Sequence, residues 1–395
     1  MNIKSLLLGS AAALVAVSGA RAADAIVVAE PEPAEYVRIC DVYGAGFYYI
    51  PGAETCLRVG GYLRYDIGVG SDGHEDIVDK KDLDAALNDP DWDGTISTHD
   101  TYRKLMRAQI QLDARSETEY GTLRGYMALN FDHTTGRLDG GLLDPDAEGI
   151  GYTYTTNSWA FDHAIIQLGG LTIGYTDSLF YSLTGAAGTV MRDGIVAFDP
   201  GKTHLIAYTF DGGNGFSATI GVEEGSEFVT FNTALGAIND LTGLATGGAI
   251  DSYVPHVVAG ASFTQGWGRI SGAIAYDSVW EEVSGKLRVD VNVNDALSLW
   301  VMGGYTSADW KKGEDSVYAP WGGDWAVWGG GQYRYSEKGA IDVQLSYDDS
   351  ETFGAVVGGR YELVPNLLVR AEVQYRDRDV QGDDWGARLR FQRNF

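Results

Sequence analysis

The sequence predicts an all-β protein, a sixteen-stranded antiparallel transmembrane β-barrel with up-and-down strand order. Three observations predict it. Segments of about ten residues carry apolar side chains at every second position, which is the period of a strand. Short turns alternate with long, acidic, glycine-rich connections, so the two ends of the strands face different surroundings. Aromatic residues end the apolar faces, as they do at the interfaces of a membrane barrel.

The first element, residues 1–22, has the pattern of a secretory signal peptide. It contains an early Lys4, an apolar run over 6–17 and the cleavage motif Ala20-Arg21-Ala22. Loss of Lys4 and Arg21 takes the net charge from -26 to -28, and so acidic a chain does not favour nucleic-acid binding. No run of about 18 apolar residues follows, so no helical membrane span is predicted.

The second element, residues 23–55, is predicted to be an extended periplasmic segment. The stretch ADAIVVAEPEPAEYV is rich in proline and glutamate, which indicates a solvated leader rather than part of a core. Cys40 and Cys56 enclose the rest of the segment. In an exported protein two cysteines are expected to form a disulfide, whereas two cysteines without neighbouring histidines make a weak zinc site.

The third element, residues 56–395, is predicted to form the barrel. In LRVGGYLRYDI, Leu57 and Leu63 lie on one face, and Arg58 and Arg64 lie on the other. The polar face carries too much charge for a packed core, so it is expected to line a water-filled lumen. The sixteen strands are predicted at 57–68, 103–115, 122–132, 158–168, 171–176, 202–210, 216–223, 255–264, 267–276, 284–293, 297–306, 324–335, 340–347, 352–363, 367–376 and 385–395.

The last ten residues, GARLRFQRNF, alternate like a strand, whereas chain ends are usually frayed and polar. Phe395 is predicted to face lipid, and Arg388 and Arg390 are predicted to face the lumen. Since a barrel closes its first strand on its last, Phe395 should lie near the residues just after Cys56. For the same reason Arg58 and Arg64 should lie beside Arg388 and Arg390.

Several long stretches resemble, in the same order, the alphaproteobacterial (Rhizobiales-type) outer-membrane porins: EYVRICDVYGAGFYYIPGAETCLRVGGYLRYD, YTFDGGNGFSA, GGDWAVWGG, YELVPN and RFQRNF. The resemblance implies a homotrimer in the outer membrane of a Gram-negative bacterium, with a third long loop folded into each lumen. It implies passive diffusion of small hydrophilic solutes and ions. It also implies that Phe395 is a signal for the barrel-assembly machinery, and that the mature N-terminus is a site of attachment to peptidoglycan.

The resemblance places the pore constriction in DSLFYSLTGAAGTVMRDGIVAFDPG, which contains Asp177, Asp193 and Asp199. The alternation assigns six arginines to the lumen wall: Arg58, Arg64, Arg107, Arg124, Arg388 and Arg390. An acidic loop opposite a basic wall would create a transverse field that orients dipolar solutes. The alternative is that these residues only solvate the wall and pair locally. The acidic mouth favours cations and the arginines oppose them, and we expect a slight preference for cations.

The first long loop carries the hypothesis of a calcium site. In DPDWDGTISTHD the carboxylates follow the spacing of a twelve-residue calcium loop: Asp89, Asp91, Asp93 and Asp100. Pro90 at the second position, and aspartate instead of glutamate at the twelfth, weaken the match. The alternative is an acidic, solvated external loop that divalent cations bridge diffusely to lipopolysaccharide.

No catalytic signature is present, because G-x-S-x-G, H-E-x-x-H and P-loop patterns are missing from the sequence. We therefore predict a protein that is not an enzyme and needs no cofactor. Two alternatives to a general diffusion channel stay open. One is a channel specific for a sugar, which low sugar concentrations would block. The other is a soluble secreted β-rich carbohydrate hydrolase or lectin, which ion conductance in planar bilayers would exclude.

Overall fold

The computed structural model of the chain describes residues 38–50, 52–91, 96–139, 151–226, 249–312, 314–378 and 382–395. The predicted signal peptide and most of the predicted leader lie outside these residues. In the part described, no helix has the length and apolar character needed to cross a membrane.

Within the described residues nineteen strands form one sheet, and sixteen of them build the wall of a closed antiparallel barrel. This confirms the predicted fold class. The wall strands are β2 (Cys56–Gly70), β5 (Arg103–Thr118), β6 (Gly121–Asp139), β7 (Gly151–Leu168), β8 (Leu171–Asp177), β9 (Lys202–Gly213), β10 (Phe216–Glu223), β11 (His256–Gln265), β12 (Gly268–Asp277), β13 (Glu282–Asn292), β14 (Leu297–Thr306), β15 (Trp325–Arg334), β16 (Gly339–Asp348), β17 (Phe353–Val364), β18 (Leu367–Arg378) and β19 (Gly382–Asn394).

The barrel closes where its last strand pairs with its first. Antiparallel pairing of β19 with β2 runs from Gly386 opposite Gly70 to Asn394 opposite Tyr62. Phe395 continues this pairing, because its amide donates to Gly61 O and its carbonyl accepts from Gly61 N, both at 3.1 Å. The predicted position of Phe395, just after Cys56, is confirmed.

The hairpin β6–β7 is longer than predicted. Its strands extend to Asp139 and from Gly151, whereas the sequence predicted an end at residue 132 and a start at residue 158. Beyond Phe131 the hairpin is rich in threonine on both faces, so hydrophobic alternation no longer marks the strands. Backbone pairing continues regardless, from His133 opposite Asn157 onward.

The first long loop contains structure that the sequence analysis did not predict. It holds a helix (Lys80–Asn88), capped by Asp79, and the short strands β3 (His74–Val78) and β4 (Thr98–Thr101). Strand β3 also meets β7 through a parallel bridge from Ile77 to Gly151. The loop is therefore folded onto the β6–β7 hairpin.

The outer surface of the barrel is apolar, as predicted. Side chains such as Ile206, Leu287 and Val301 are more than half exposed although they are aliphatic. Contiguous exposed apolar surface of this extent marks contact with a membrane. Most of the aromatics predicted for the two girdles are also exposed, including Phe210, Tyr305 and Trp385.

The inner face differs from the prediction of a wholly water-filled lumen. From β9 to β15 it carries small apolar residues such as Ala207, Val258 and Ala275, and these are buried. They pack against residues 178–201, here called the constriction loop, which contribute Phe180, Leu183, Val196 and Phe198 to a single apolar cluster. The constriction loop therefore covers the inner face of these strands.

Candidate pore constriction

The constriction loop begins with a buried polar anchor on the wall. The Glu223 carboxylate, at the end of β10, accepts from Ser178 Oγ at 2.8 Å and from Leu179 N at 2.6 Å. Tyr318 Oη, from the connection between β14 and β15, donates to the same carboxylate at 2.9 Å. The first turn of the loop is thus fixed to two other segments.

Inward-facing side chains bind the backbone of the loop as it crosses the barrel. Lys286 Nζ donates to Phe198 O at 2.8 Å, Trp328 Nε1 donates to Val196 O at 2.9 Å, and Gln344 Nε2 donates to Asp193 O at 2.8 Å. These donors lie on β13, β15 and β16. Buried carbonyls need such partners, so polar wall residues hold the loop inside the lumen.

The tip of the loop reaches β18. The Glu372 carboxylate accepts from Met191 N at 2.6 Å and from Arg192 N at 2.8 Å. Nearby, Thr189 bonds to Asp342 through its hydroxyl and to Arg370 through its carbonyl. The loop therefore spans the wall from β9 to β18 and leaves β19, β2 and β5 to β8 to border the open channel.

A belt of five arginines crosses the wall from β17 through β18, β19 and β2 to β5: Arg360, Arg370, Arg390, Arg64 and Arg107. Arg390 forms a bidentate pair with Asp66 at 2.7 and 2.8 Å. Arg107 forms another with Asp132 at 2.7 and 2.6 Å. Arg390 and Arg107 therefore pair locally with carboxylates of the wall, which is the alternative that the sequence left open.

The remaining three arginines of the belt are less well compensated. Arg370 lies 3.9 Å from Asp342, and Arg64 lies 3.9 Å from Asp66, which Arg390 already occupies. Arg360 donates to the neutral Gln332 Oε1 at 2.8 Å and has no ion pair with a described residue. The belt therefore has more guanidinium groups than carboxylates.

The loop tip meets this basic wall at Asp72. Arg388 forms a bidentate pair with Asp72, and Arg192 Nε of the loop lies 3.5 Å from the same carboxylate. A cavity of about 90 Å³ opens beside them, lined by Arg64, Arg388 and Arg390 among others. As predicted, Arg64 lies beside the arginines of the last strand.

The three predicted acids of the constriction occupy different settings. Asp177 ends β8 and forms an ion pair with Lys202. Burial raises the pKa of the Asp193 carboxyl to about 7, with Asp199 and Glu372 adding to the effect and Arg192 opposing it. Burial also raises the pKa of Asp199, whose carboxylate accepts from Gly201 N at 2.8 Å.

Arg58 and Arg124 face the lumen but lie apart from the belt. The prediction that Arg58 lies beside Arg388 and Arg390 is wrong, because those arginines stand opposite Gly68 and Asp66 on β2. Both pair with Asp113, at 3.4 and 2.9 Å. Arg58 precedes Arg64 by six residues on β2, which is about 20 Å along a strand. These two arginines therefore belong to the periplasmic end of the lumen.

The proposed calcium ligands are only partly described. Asp93 lies outside the described residues. Asp89 accepts from Asp91 N at 2.9 Å, and Asp100 accepts from Asp76 N at 3.4 Å. Among the residues with a described position, no three His, Cys, Asp or Glu side chains are grouped to hold a metal ion. The calcium site stays a prediction.

Several residues of the constriction were not predicted from the sequence: Arg192, Arg360, Arg370, Asp66, Asp72, Asp342 and Glu372. In LLVRAEVQYR, residues 367–376, the alternation of apolar and polar side chains puts Arg370 and Glu372 on the polar, inward face. Alternation does not give the position of a side chain along the barrel axis. The register between strands decides which inward-facing residues lie level with the constriction loop.

A closed barrel with an apolar outside, and with a loop held inside its charged lumen, defines a channel protein of the outer membrane. The chain belongs to the porin subfamily, whose sequence profile matches residues 24–391. It is a general diffusion porin of the outer membrane.

Relatives and solved structures agree with this membership. The chain is 43% identical to Porin Omp2a of Brucella melitensis over an alignment 405 positions long, and 42% identical to Porin Omp2b of Brucella suis over one of 404. Both alignments cover all of this chain and all of the relative. The fold is similar to that of the outer membrane channel DcaP of Acinetobacter baumannii, with a TM-score of 0.60 at 17% identity, covering 88% of this chain and 99% of that one.

Proposed function

We propose that the constriction of this porin lies between the constriction loop and the arginine belt, and that their charges set its ion preference. The observation that carries the proposal is the anchoring of the loop tip by Glu372, which holds it beside the belt. Passive diffusion through such an opening needs no catalytic step, so the proposal is of a channel and not of an enzyme.

The belt and the loop differ in charge. The belt has five guanidinium groups, whereas the loop region supplies Asp177, Asp193 and Asp199. A field between them would orient dipolar solutes and disfavour apolar ones. The net charge of the chain is -26, and an acidic mouth would concentrate cations there. We therefore keep the expectation of a slight overall preference for cations.

The test replaces belt arginines that border the open channel. In Arg64→Gln/Arg107→Gln the ratio of cation to anion permeability, obtained from reversal potentials in a salt gradient, should rise about 2-fold or more, because two unit charges close to the ion path are lost. Lys311→Gln/Lys312→Gln is the matched control, since it removes two charges from an exposed external turn. Equal ratios in wild type and the belt variant would refute the proposal.

Current measurements in the same planar bilayers also test the alternative of a channel specific for a sugar. Block of the ion current by low concentrations of a candidate sugar would favour it, and an unaltered current would favour general diffusion. We further propose that three copies assemble, in keeping with the subfamily. Contact with lipopolysaccharide, recognition of Phe395 by the barrel-assembly machinery and attachment to peptidoglycan through the mature N-terminus are also proposals, which the resemblance supports.

A further inference from the structure

A disulfide closes the segment 40–56, whose described residues, 40–50 and 52–56, are here called the N-terminal knob. Cys40 and Cys56 are bonded, as predicted, and both are buried. Cys56 is the first residue of β2 and shares the inward face of that strand with Arg58 and Arg64. On β5 it pairs with Arg115, three residues before that strand ends at Thr118. The disulfide therefore projects into the lumen just above the periplasmic rim.

The knob rests on the inner wall through an aromatic side chain. The Phe47 ring is 2% exposed, and the guanidinium carbons of Arg58 and Arg115 lie 5.0 and 5.1 Å from its centroid. Tyr43 Oη donates to Glu117 Oε1 at 2.7 Å. Cation–π contacts of this kind are worth about 0.5–2 kcal/mol each. Because all the wall residues contacted face inward, the knob occupies part of the lumen cross-section.

One buried carboxylate, that of Asp113, binds the wall arginines beneath the N-terminal knob. Asp113 is 1% exposed and forms ion pairs with three arginines on the neighbouring wall: Arg58, Arg115 and Arg124. Arg115 and Arg124 stand directly opposite each other on β5 and β6. The shared carboxylate offsets the repulsion between these like charges, and its hydrogen bonds position Arg58 and Arg115, which contact the Phe47 ring.

Backbone hydrogen bonds also connect residues within the N-terminal knob. Cys40 N donates to Phe47 O at 3.0 Å, and Ile50 N donates to Thr55 O at 2.9 Å. The short strand β1 (Tyr48–Tyr49) pairs with the first residues of β2. The tight turn before Phe47 uses Gly44 and Gly46, both with positive φ. The knob is thus a compact body attached to the wall at both ends.

We propose that the N-terminal knob is a second constriction of the channel, at its periplasmic mouth. A solute that has passed the constriction loop would meet the knob and the 43% exposed side chain of Arg58 before it reaches the periplasm. The knob adds a limit on solute size that is separate from the loop. The inference rests on the proposed channel function, since it concerns a second opening in the same path.

Removal of the anchors tests the inference. Phe47→Ala keeps the disulfide, and Cys40→Ser/Cys56→Ser opens it. Single-channel conductance should rise roughly 1.5-fold in the double variant and less in Phe47→Ala, because a released knob no longer narrows the mouth. Heat-modifiable migration on gels checks that each barrel has folded. Conductance equal to wild type in both folded variants would overturn the inference, while a wild-type chain without conductance would overturn the channel function itself.

A chemical label gives a readout that loss of stability would not produce. In Cys40→Ser the Cys56 thiolate attacks a methanethiosulfonate reagent, forms a mixed disulfide and releases methanesulfinate. Added bulk at the inward-facing Cys56 should lower the conductance stepwise. The control is Val59→Cys in the Cys40→Ser/Cys56→Ser background, where the same label on this outward-facing, exposed position should leave conductance unchanged. No change on labelling of Cys56, with the label verified by mass, would contradict the inference.

Discussion

Arginines stand directly opposite one another at four places in the inner wall: Arg360 and Arg370, Arg370 and Arg390, Arg64 and Arg107, and Arg115 and Arg124. Like charges in such pairs oppose sheet pairing, by roughly 0.2–1 kcal/mol each. Carboxylates such as Asp66, Asp113 and Asp132 offset part of this repulsion. Sheet stability does not account for the remaining positive charge, but a charged water-filled path does.

Asp193 gives the constriction a pH dependence. Its pKa is raised to about 7, chiefly by burial, so the carboxyl is ionised at pH 8 and neutral at pH 6. Protonation removes a negative charge from the loop, so the ratio of cation to anion permeability should fall as the pH drops through 7. Reversal potentials measured from pH 8 to pH 6 check this.

Asp193→Asn is the matched variant for that measurement, because it keeps the size of the side chain and removes its titration. The ratio should be low at every pH in this variant. A pH response that persists unaltered in Asp193→Asn would show that another group is responsible.

The predicted calcium site in the first long loop is also tested by changing single residues. Calorimetry on the purified protein should show stoichiometric calcium binding, since alternating carboxylates suit a hard cation. The variant Asp89→Asn/Asp91→Asn, which keeps the size of both side chains and removes their charges, should lose it. Binding heats that are nonstoichiometric, or equal in the two proteins, would support diffuse bridging instead.

At the scale of the element, the fit of the constriction loop against the wall depends on close approach. A Cβ added to Gly188 would lie 2.9 Å from the Trp300 ring, and Gly188 also has φ of +90°. In Gly188→Val the loop tip should move away from the wall and into the channel. We expect single-channel conductance to fall.

Gly185→Val is the control for this variant. Gly185 has φ of +77°, but a Cβ at that position would have nothing within 4 Å. It therefore carries the backbone strain without the clash. If both variants lower the conductance equally, strain and not contact with Trp300 positions the loop.

At the scale of the whole molecule, closure of the barrel depends on the end of the chain. Deletion of Phe395 removes both backbone hydrogen bonds to Gly61, whereas Phe395→Ala keeps them and removes only the lipid-exposed ring. We expect the deletion to reduce the heat-modifiable, folded fraction in the outer membrane strongly.

Phe395→Ala then distinguishes a role of Phe395 in closing the barrel from a role of its ring in recognition by the assembly machinery. A loss as large as that of the deletion would point to the ring, which is what an assembly signal requires. A folded fraction close to wild type would point to the backbone bonds. Normal assembly of both variants would refute both roles.

The sequence by itself determined the barrel, its sixteen strands, its two faces, the disulfide and the closure at Phe395. The strands and their faces follow from local alternation, since a period of two assigns a face without knowledge of neighbours. The disulfide follows from two cysteines in an exported chain, and the closure follows from the pairing of the first strand with the last. The full length of the β6–β7 hairpin was not predicted, because threonine-rich strands that extend into water need no hydrophobic alternation.

Only the tertiary structure decided what happens inside the barrel. The packing of the constriction loop over β9 to β15, the height of the arginine belt and the place of the N-terminal knob all depend on contacts between residues far apart in sequence. Alternation shows that Arg58 and Arg64 both face inward. It does not show that one lies under the knob and the other beside the loop, because strand register and loop packing set the height of each side chain in the lumen.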